Sequence, residues 1–353
     1  MVIPAIDEAP ALVRLIADLQ AQHGVQIEII VADGGSSDDS QRQVEQLGAS
    51  WVASKPGRGR QMNCGAQRAR YHWLCFVHAD TRLPAADLLS RALDQLHTAP
   101  ASENLAGHWP LVFERSATAN SNNARPGIMQ RALYAWMQAK SATGRRYTIN
   151  GDQGVLISRR LFDQLGGFDE QLAFLEDQRL AERVRAAGAW QLLPGHLRTS
   201  ARRFESEGAY ARYALMALIM AMHTANVPRF FTVAPTVYAL QADTDRLLLM
   251  PYFRLLRRMS QACGLRASLA VGWRMAGVAT GELWQLVFVF DVLAGNHRRV
   301  PAGRLASAYQ QSVARWAANP LVRSVVMICL VLMLFGPLQW LAMIQERVAR
   351  RPL

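Results

Sequence analysis

Two short apolar runs, residues 25–32 and 73–77, each end in aspartate: the first at Asp33, the second at His78-Ala79-Asp80. Runs of this length, rich in isoleucine, valine and aromatics, read as strands. Helical spacing fills the chain around them. Residues 8–22 place Leu12, Leu15, Ile16 and Leu19 on one face. A helix through Val44 and Leu47 follows, then a short strand at Trp51-Val52 and a helix over residues 59–70. Val2-Ile3 reads as the end of a first strand. Strands separated by helices of this length form a mostly parallel sheet with right-handed crossovers. Ligands of such sheets gather at the carboxyl ends of the strands. Asp33 and Asp80 both fall there, so position alone makes them candidates.

Further along, residues 98–126 read as loop-rich, with one strand near 108–113, and residues 154–158 read as another strand. A helix starts near Glu176, with Leu180, Val184 and Ala187 on one face and Gly188 as its stop. Beyond about residue 205 carboxylates thin out. Residues 209–222 carry only Arg212, residues 275–295 only Glu282 and Asp291, and residues 324–344 no charge at all. The last run is long enough to cross a bilayer, but Gly336-Pro337 interrupts it. Arginine lies on both sides: Arg298, Arg299, Arg304, Arg315 and Arg323 before it, Arg347, Arg350 and Arg351 after. That distribution opposes a simple span under the positive-inside rule. Amphipathic helices on a membrane, with one embedded segment at 324–344 that spans or turns back, fit better. A soluble helical domain with a buried core helix is the alternative. The expected division is an α/β domain over residues 1–205 and a helical, membrane-associated region over 206–353.

The net charge of +12 is almost wholly arginine, since Lys55 and Lys140 are the only lysines. Such a surface suits phosphate, nucleic acid or anionic lipid; a GC-rich genome gives the same composition. Cys64, Cys75, Cys263 and Cys329 form no CxxC pair, so neither zinc nor a disulfide framework is expected.

Four constellations carry chemistry. Asp33-Gly34-Gly35, followed by serines and aspartates, makes a turn into a helix start, and capping explains it; an aspartate there also accepts hydrogen bonds from a base or ribose. The stretch Pro56-Gly57-Arg58-Gly59-Arg60-Gln61-Met62-Asn63 joins glycines, two arginines and a helix start, which suits an anionic group. A solvated basic loop is the plainer reading. His78 and Asp80, two apart at a strand end, can face one divalent ion; Mg²⁺ or Mn²⁺ on a diphosphate needs only one or two protein carboxylates. Glu176-Asp177 at a helix start is ordinary helix-dipole chemistry or a general base for an acceptor hydroxyl.

In this order the motifs resemble a family-2 type, GT-A fold glycosyltransferase. The matching strings are Ile3-Pro4-Ala5-Ile6-Asp7-Glu8, Val31-Ala32-Asp33-Gly34-Gly35-Ser36-Ser37-Asp38, the glycine-arginine stretch through Gly65, and Phe76-Val77-His78-Ala79-Asp80-Thr81-Arg82-Leu83-Pro84. Gly151-Asp152-Gln153-Gly154, Leu165-Gly166-Gly167-Phe168-Asp169 and Glu176-Asp177 follow. Two of the strings are similar to the bacterial subfamily labelled arsenosugar-biosynthesis glycosyltransferase. The resemblance covers residues 1–205. It implies a nucleotide-diphosphate sugar as donor, with Pro4, Ile6, Glu8 and Asp33 around the base, and Arg58, Arg60 and Asn63 at the ribose and diphosphate. Asp152 and Gln153 would shape the sugar pocket. Asp80, with His78 where relatives carry a carboxylate, would hold Mg²⁺ or Mn²⁺. Asp177, and Glu176 second, would be the base of an inverting displacement. The implied partners are the donor, an acceptor that includes lipid-linked hydroxyls, and a membrane, with no nucleic acid. The implied place is the cytoplasmic face of the inner membrane. The Gln-x-x-Arg-Trp motif of processive polymerases is missing. Two rivals are a sugar nucleotidyltransferase, which would carry a glycine-rich loop where Pro4 to Glu8 stand, and a membrane scaffold with a degenerate domain.

Overall fold

The computed structural model describes residues 1–99, 104–115, 127–149, 151–239, 246–317 and 319–349. The chain divides into two units, one of Met1–Ser121 with Leu133–Ala201 and one of Asn122–Ala132 with Arg202–Leu353.

The first unit begins with β1 (Val2–Ala5), α1 (Ala9–Gln20), β2 (Ile30–Asp33), α2 (Ser40–Gln46), β3 (Ser50–Ala53), α3 (Arg58–Arg68) and β4 (Trp73–Phe76). It continues through β5 (Thr81–Arg82), α4 (Leu88–Thr98), β6 (Leu105–His108), β7 (Leu111–Glu114) and α5 (Ile128–Ser141), whose first turns fall in the second unit. β8 (Val155–Ser158), α6 (Arg159–Gln164), α7 (Glu176–Ala187), β9 (Ala189–Leu192) and β10 (Leu197–Ser200) complete it. Seven strands form one sheet in the order β3-β2-β1-β4-β8-β6-β9. All of them run parallel except β8, which opposes both β4 and β6. A small second sheet has the order β5-β10-β7.

The apolar faces foreseen from spacing are the buried ones. Leu12, Leu15, Ile16 and Leu19 of α1 pack with Leu88 and Leu96 of α4 on one side of the sheet. Met62 and Ala66 of α3 pack with Phe162 of α6 and Leu180 and Val184 of α7 on the other. Burial of this kind contributes about 25 cal/mol per Å² of apolar surface, and it fixes which end of each helix meets the strand ends.

Two expectations change. The strand over 25–32 begins only at Ile30, because β1 pairs from Val2↔Ile30 onward and offers no partner to earlier residues. The single strand near 108–113 is two strands in two sheets, β6 and β7, separated at Trp109-Pro110; proline cannot donate to a ladder. Residues 128–141, beyond the stretch read as loop-rich, form α5.

The second unit is helical: α8 (Arg202–Ser206), α9 (Ala209–Thr224), α10 (Pro228–Ala239), α11 (Met250–Gly281), α12 (Trp284–Leu293), α13 (Arg304–Ser312), α14 (Ala314–Ala317), α15 (Pro320–Phe335) and α16 (Pro337–Ala349). Among the described residues two stretches are long and apolar enough to cross a membrane, Met250–Leu293 and Pro320–Arg347, whose 18-residue apolar windows have mean hydropathy 1.4 and 2.3. Gly336 breaks the second between α15 and α16.

Candidate active site

The carboxyl ends of β1, β2 and β4 lie along one edge of the sheet. β8 is antiparallel to β4, with Val155 opposite Phe76, so the turn Gly151–Gln153 that leads into β8 returns to that edge. α7 runs back to the start of β9, which parallels β6, so its first residues, Glu176 and Asp177, lie at the same edge.

His78, Asp80, Asp152, Glu176, Asp177 and Arg58 converge there. His78 Nδ1 is 2.8 Å from Asp152 Oδ1. A Cβ on Gly151 would stand 2.8 Å from His78 Nε2 and 3.3 Å from Asp177 Oδ2, so the imidazole and the carboxylate flank bare backbone. Arg58, at the start of α3, reaches the buried Glu176 at 3.1 Å. Burial opposes the charge of Arg58, but Glu176, Asp177, Asp152 and Asp80 together raise its pKa above the usual value. Burial first, and Glu176 second, push the Asp177 carboxyl up to about 6, against the backbone N–H of Gln178 and the positive field of Arg58 and His78. Backbone strain accompanies this: Leu175, just before α7, has φ 64°, a conformation that costs a side chain on the order of 1–2 kcal/mol. Asp80 is half-buried.

The base-side residues form a second group. Asp33 accepts from the backbone N–H of Gly35 (3.0 Å) and of Ser36 (2.9 Å), and from Ser36 Oγ (2.6 Å). Its carboxylate therefore closes the turn after β2, where Gly35 has φ 105°. Asp7, itself at φ 52°, accepts from Ser37 N at 2.7 Å, which joins the loops after β1 and β2. Ile6 is exposed and lies over Gly34, where a Cβ would meet its Cδ1 at 2.7 Å. Pro4 and Glu8 are half-buried beside it in sequence.

Three polar side chains singled out in the sequence are engaged within the fold. Asn63 Oδ1 accepts from Phe168 N at 2.8 Å, and its Nδ2 donates to Phe168 O at 2.9 Å and Glu170 Oε1 at 3.0 Å. Arg60 pairs with Glu170 at 3.4 Å. Gln153 is fully buried and donates to Trp109 O and Ser141 O, both at 3.3 Å. The amides of Asn63 and Gln153 therefore hold loops.

Sequence reasoning missed Gln61, whose Nε2 donates to Ala5 O and Ala32 O at 2.9 Å each and so ties the ends of β1 and β2 to α3. The signal was available: on α3, Gln61 shares its buried face with Met62 and Gly65. Arg183 was missed too. It donates to Leu165 O and Gly167 O and so anchors the 165–167 loop on α7.

The donor set fits a divalent ion. Asp80 supplies a carboxylate at a strand end. Asp152 on His78 Nδ1 is the arrangement that orients a ligating imidazole. Among the described residues no three His, Cys, Asp or Glu side chains are grouped to hold a metal, and an ion on a diphosphate takes most of its ligands from phosphate and water.

Residues 1–115 match the family Glycosyl transferase family 2, and Asp33, Arg58, His78 and Asp80 all lie in the matched segment. With its seven-stranded, mostly parallel sheet, the first unit has the GT-A fold. No curated protein matches the chain. Similar solved structures include a mannosyltransferase from Pyrobaculum calidifontis in complex with GDP-Man and Mn²⁺, at 17% identity and TM-score 0.45, covering 95% of this chain and 86% of that one. Another is S. aureus TarS 1–349 in complex with UDP-GlcNAc, at 14% identity and TM-score 0.43, covering 88% and 90%. A third is glucosyl-3-phosphoglycerate synthase from Mycobacterium tuberculosis with Mg²⁺ and UDP, at 16% identity and TM-score 0.36, covering 56% and 68%.

Proposed function

We propose that this protein is an inverting glycosyltransferase that moves a sugar from a nucleotide-diphosphate sugar to an acceptor hydroxyl at the cytoplasmic face of a bacterial inner membrane. The observation that carries this reading is the convergence of Arg58, His78, Asp80, Asp152 and Asp177 at the carboxyl edge of a sheet whose first 115 residues match the family-2 model. Arg58 at the N-terminus of α3 faces the diphosphate, where a helix start and a guanidinium both favour anions. Pro4, Ile6, Glu8 and Asp33 border the base. Asp80 and His78 would hold Mg²⁺ or Mn²⁺, and a bound ion would supply positive charge to offset that on the leaving diphosphate. Asp177 takes the proton of the acceptor hydroxyl as its oxygen bonds to the anomeric carbon and the bond from that carbon to the diphosphate breaks. Glu176 is engaged by Arg58 and shapes the field at Asp177, which makes Asp177 the base. The apolar helices of the second unit keep the enzyme at the bilayer, where a lipid-linked acceptor would lie.

Titration calorimetry with UDP and GDP tests the donor and metal roles. Mn²⁺ should tighten binding of one of them at least tenfold, and Asp80→Ala should abolish that gain. Binding indifferent to Mn²⁺, or unchanged by Asp80→Ala, would remove the metal from the reading. Pyrophosphate release from a nucleoside triphosphate would replace transfer by nucleotidyl chemistry.

A further inference from the structure

α12 has two unlike faces. Leu286, Val289, Phe290 and Leu293 are exposed and recur at intervals of three and four, which makes one apolar stripe. Trp284, Phe288 and Asp291 are buried on the other side. Asp291 is fully buried, and its carboxylate accepts from Leu305 N at 3.0 Å, Ala306 N at 2.9 Å and Asn296 Nδ2 at 3.2 Å. It thereby caps α13 and ties that helix to the back of α12. α13 carries exposed Arg304, Gln310 and Gln311. A bilayer-crossing α12 would drag these polar groups into hydrocarbon, at a cost of several kcal/mol for an arginine. α12 is built to lie along a boundary instead.

α15 repeats the theme without any buried residue: Leu321, Val325, Ile328, Leu332 and Phe335 form an exposed stripe. Between the two stripes, from residue 294 to residue 319, the chain holds four arginines and no carboxylate. Arg298, Arg299, Arg304 and Arg315 are all exposed, and Trp316 beside the last of them is 63% exposed. Apolar stripes, an exposed tryptophan and exposed positive charge are the composition of a surface at headgroup depth.

We infer that the second unit docks on an anionic bilayer surface, with the α12 stripe in the acyl boundary and Arg298, Arg299, Arg304 and Arg315 on anionic headgroups. This rests on the membrane part of the proposed function and not on its chemistry. It goes further by naming the charge of the lipid and the in-plane placement of α12.

Flotation of the purified full-length chain tests it, with vesicles of phosphatidylcholine alone and of phosphatidylcholine with phosphatidylglycerol. The chain should partition at least tenfold better onto the anionic vesicles and be released by raised salt. Replacing the four arginines by glutamine should remove that preference, and an unchanged thermal midpoint would show that the variant folds. Phe290→Asp should weaken binding to anionic vesicles with the same midpoint. Equal binding to both vesicles would overturn the anionic inference and leave the membrane reading standing. Binding to neither would overturn both, as would capture of RNA that vesicles do not displace.

Discussion

Asp177 is 8% exposed beside Glu176, which is 1% exposed, so two carboxylates share one desolvated corner. Arg58 and His78 offset part of that repulsion, yet the Asp177 pKa stays raised, at about 6. A raised carboxylate pKa has opposite consequences for catalysis and for stability. The base must be ionised, so turnover should rise with pH through about 6 and level off above it. The folded protein, without donor or metal, should lose stability over the same rise, because the unfolded chain ionises this group from its ordinary pKa near 4 at no such cost. The loss should reach roughly 2–3 kcal/mol above that window. Asp177→Asn should therefore slow transfer by about 10²–10⁴-fold. In EDTA it should also raise the melting temperature at pH 7.5 and change it little at pH 4. Turnover that survives this substitution would move the base elsewhere, and a melting gain independent of pH would remove the charge argument.

At the scale of elements, the first half of α3 is held in two different ways. Gln61 binds it to the strand ends, and Asn63 clamps the loop after α6 through three hydrogen bonds. Phe76, Phe162 and Phe168 pack behind that loop with ring centroids 4.9–5.6 Å apart. Arg58 and Arg60 depend on this clamp for their position. Asn63→Ala should cost roughly 1–3 kcal/mol and raise the donor KM more than it lowers kcat, as measured by steady-state kinetics at saturating acceptor. An unchanged KM would show that α3 keeps its place without the clamp. The same elements show what a sequence can and cannot reveal. α1 was legible because Leu12, Leu15, Ile16 and Leu19 repeat at helical spacing, and the stop of α7 was legible because Gly188 follows it. β9 and β10 were not. β9 reads Ala-Trp-Gln-Leu on a half-covered edge, and β10 exists through pairing with β5 and β7, distant in sequence. Asn63 and Gln153 fit a donor pocket by residue type, and only their partners in space show that their amides also hold loops. Asp291 is one of two charges in an apolar run, and only the fold shows that it accepts from the N–H groups at the start of α13.

For the whole molecule, the two units keep their cores in different ways. The first buries both faces of its large sheet. In the second, α15 buries no residue, and its apolar stripe and that of α12 are exposed. The stability of the first should follow its ligands, and that of the second should follow its lipid. Calorimetry of the full chain on phosphatidylglycerol-containing vesicles should accordingly show two transitions. Donor nucleotide with Mn²⁺ at about a hundred times its Kd stabilises whatever binds it by about 2.7 kcal/mol. For a unit of this size that is a rise of roughly 5–10 °C, and it should fall on one transition alone. Replacing phosphatidylglycerol by phosphatidylcholine should lower the other and leave the ligand-sensitive one in place, and Asp291→Ala should lower that same lipid-sensitive transition by uncapping α13. A single transition that moves with both nucleotide and lipid would mean that the chain melts as one body, and the assignment of separate stabilising agents to the two units would fall.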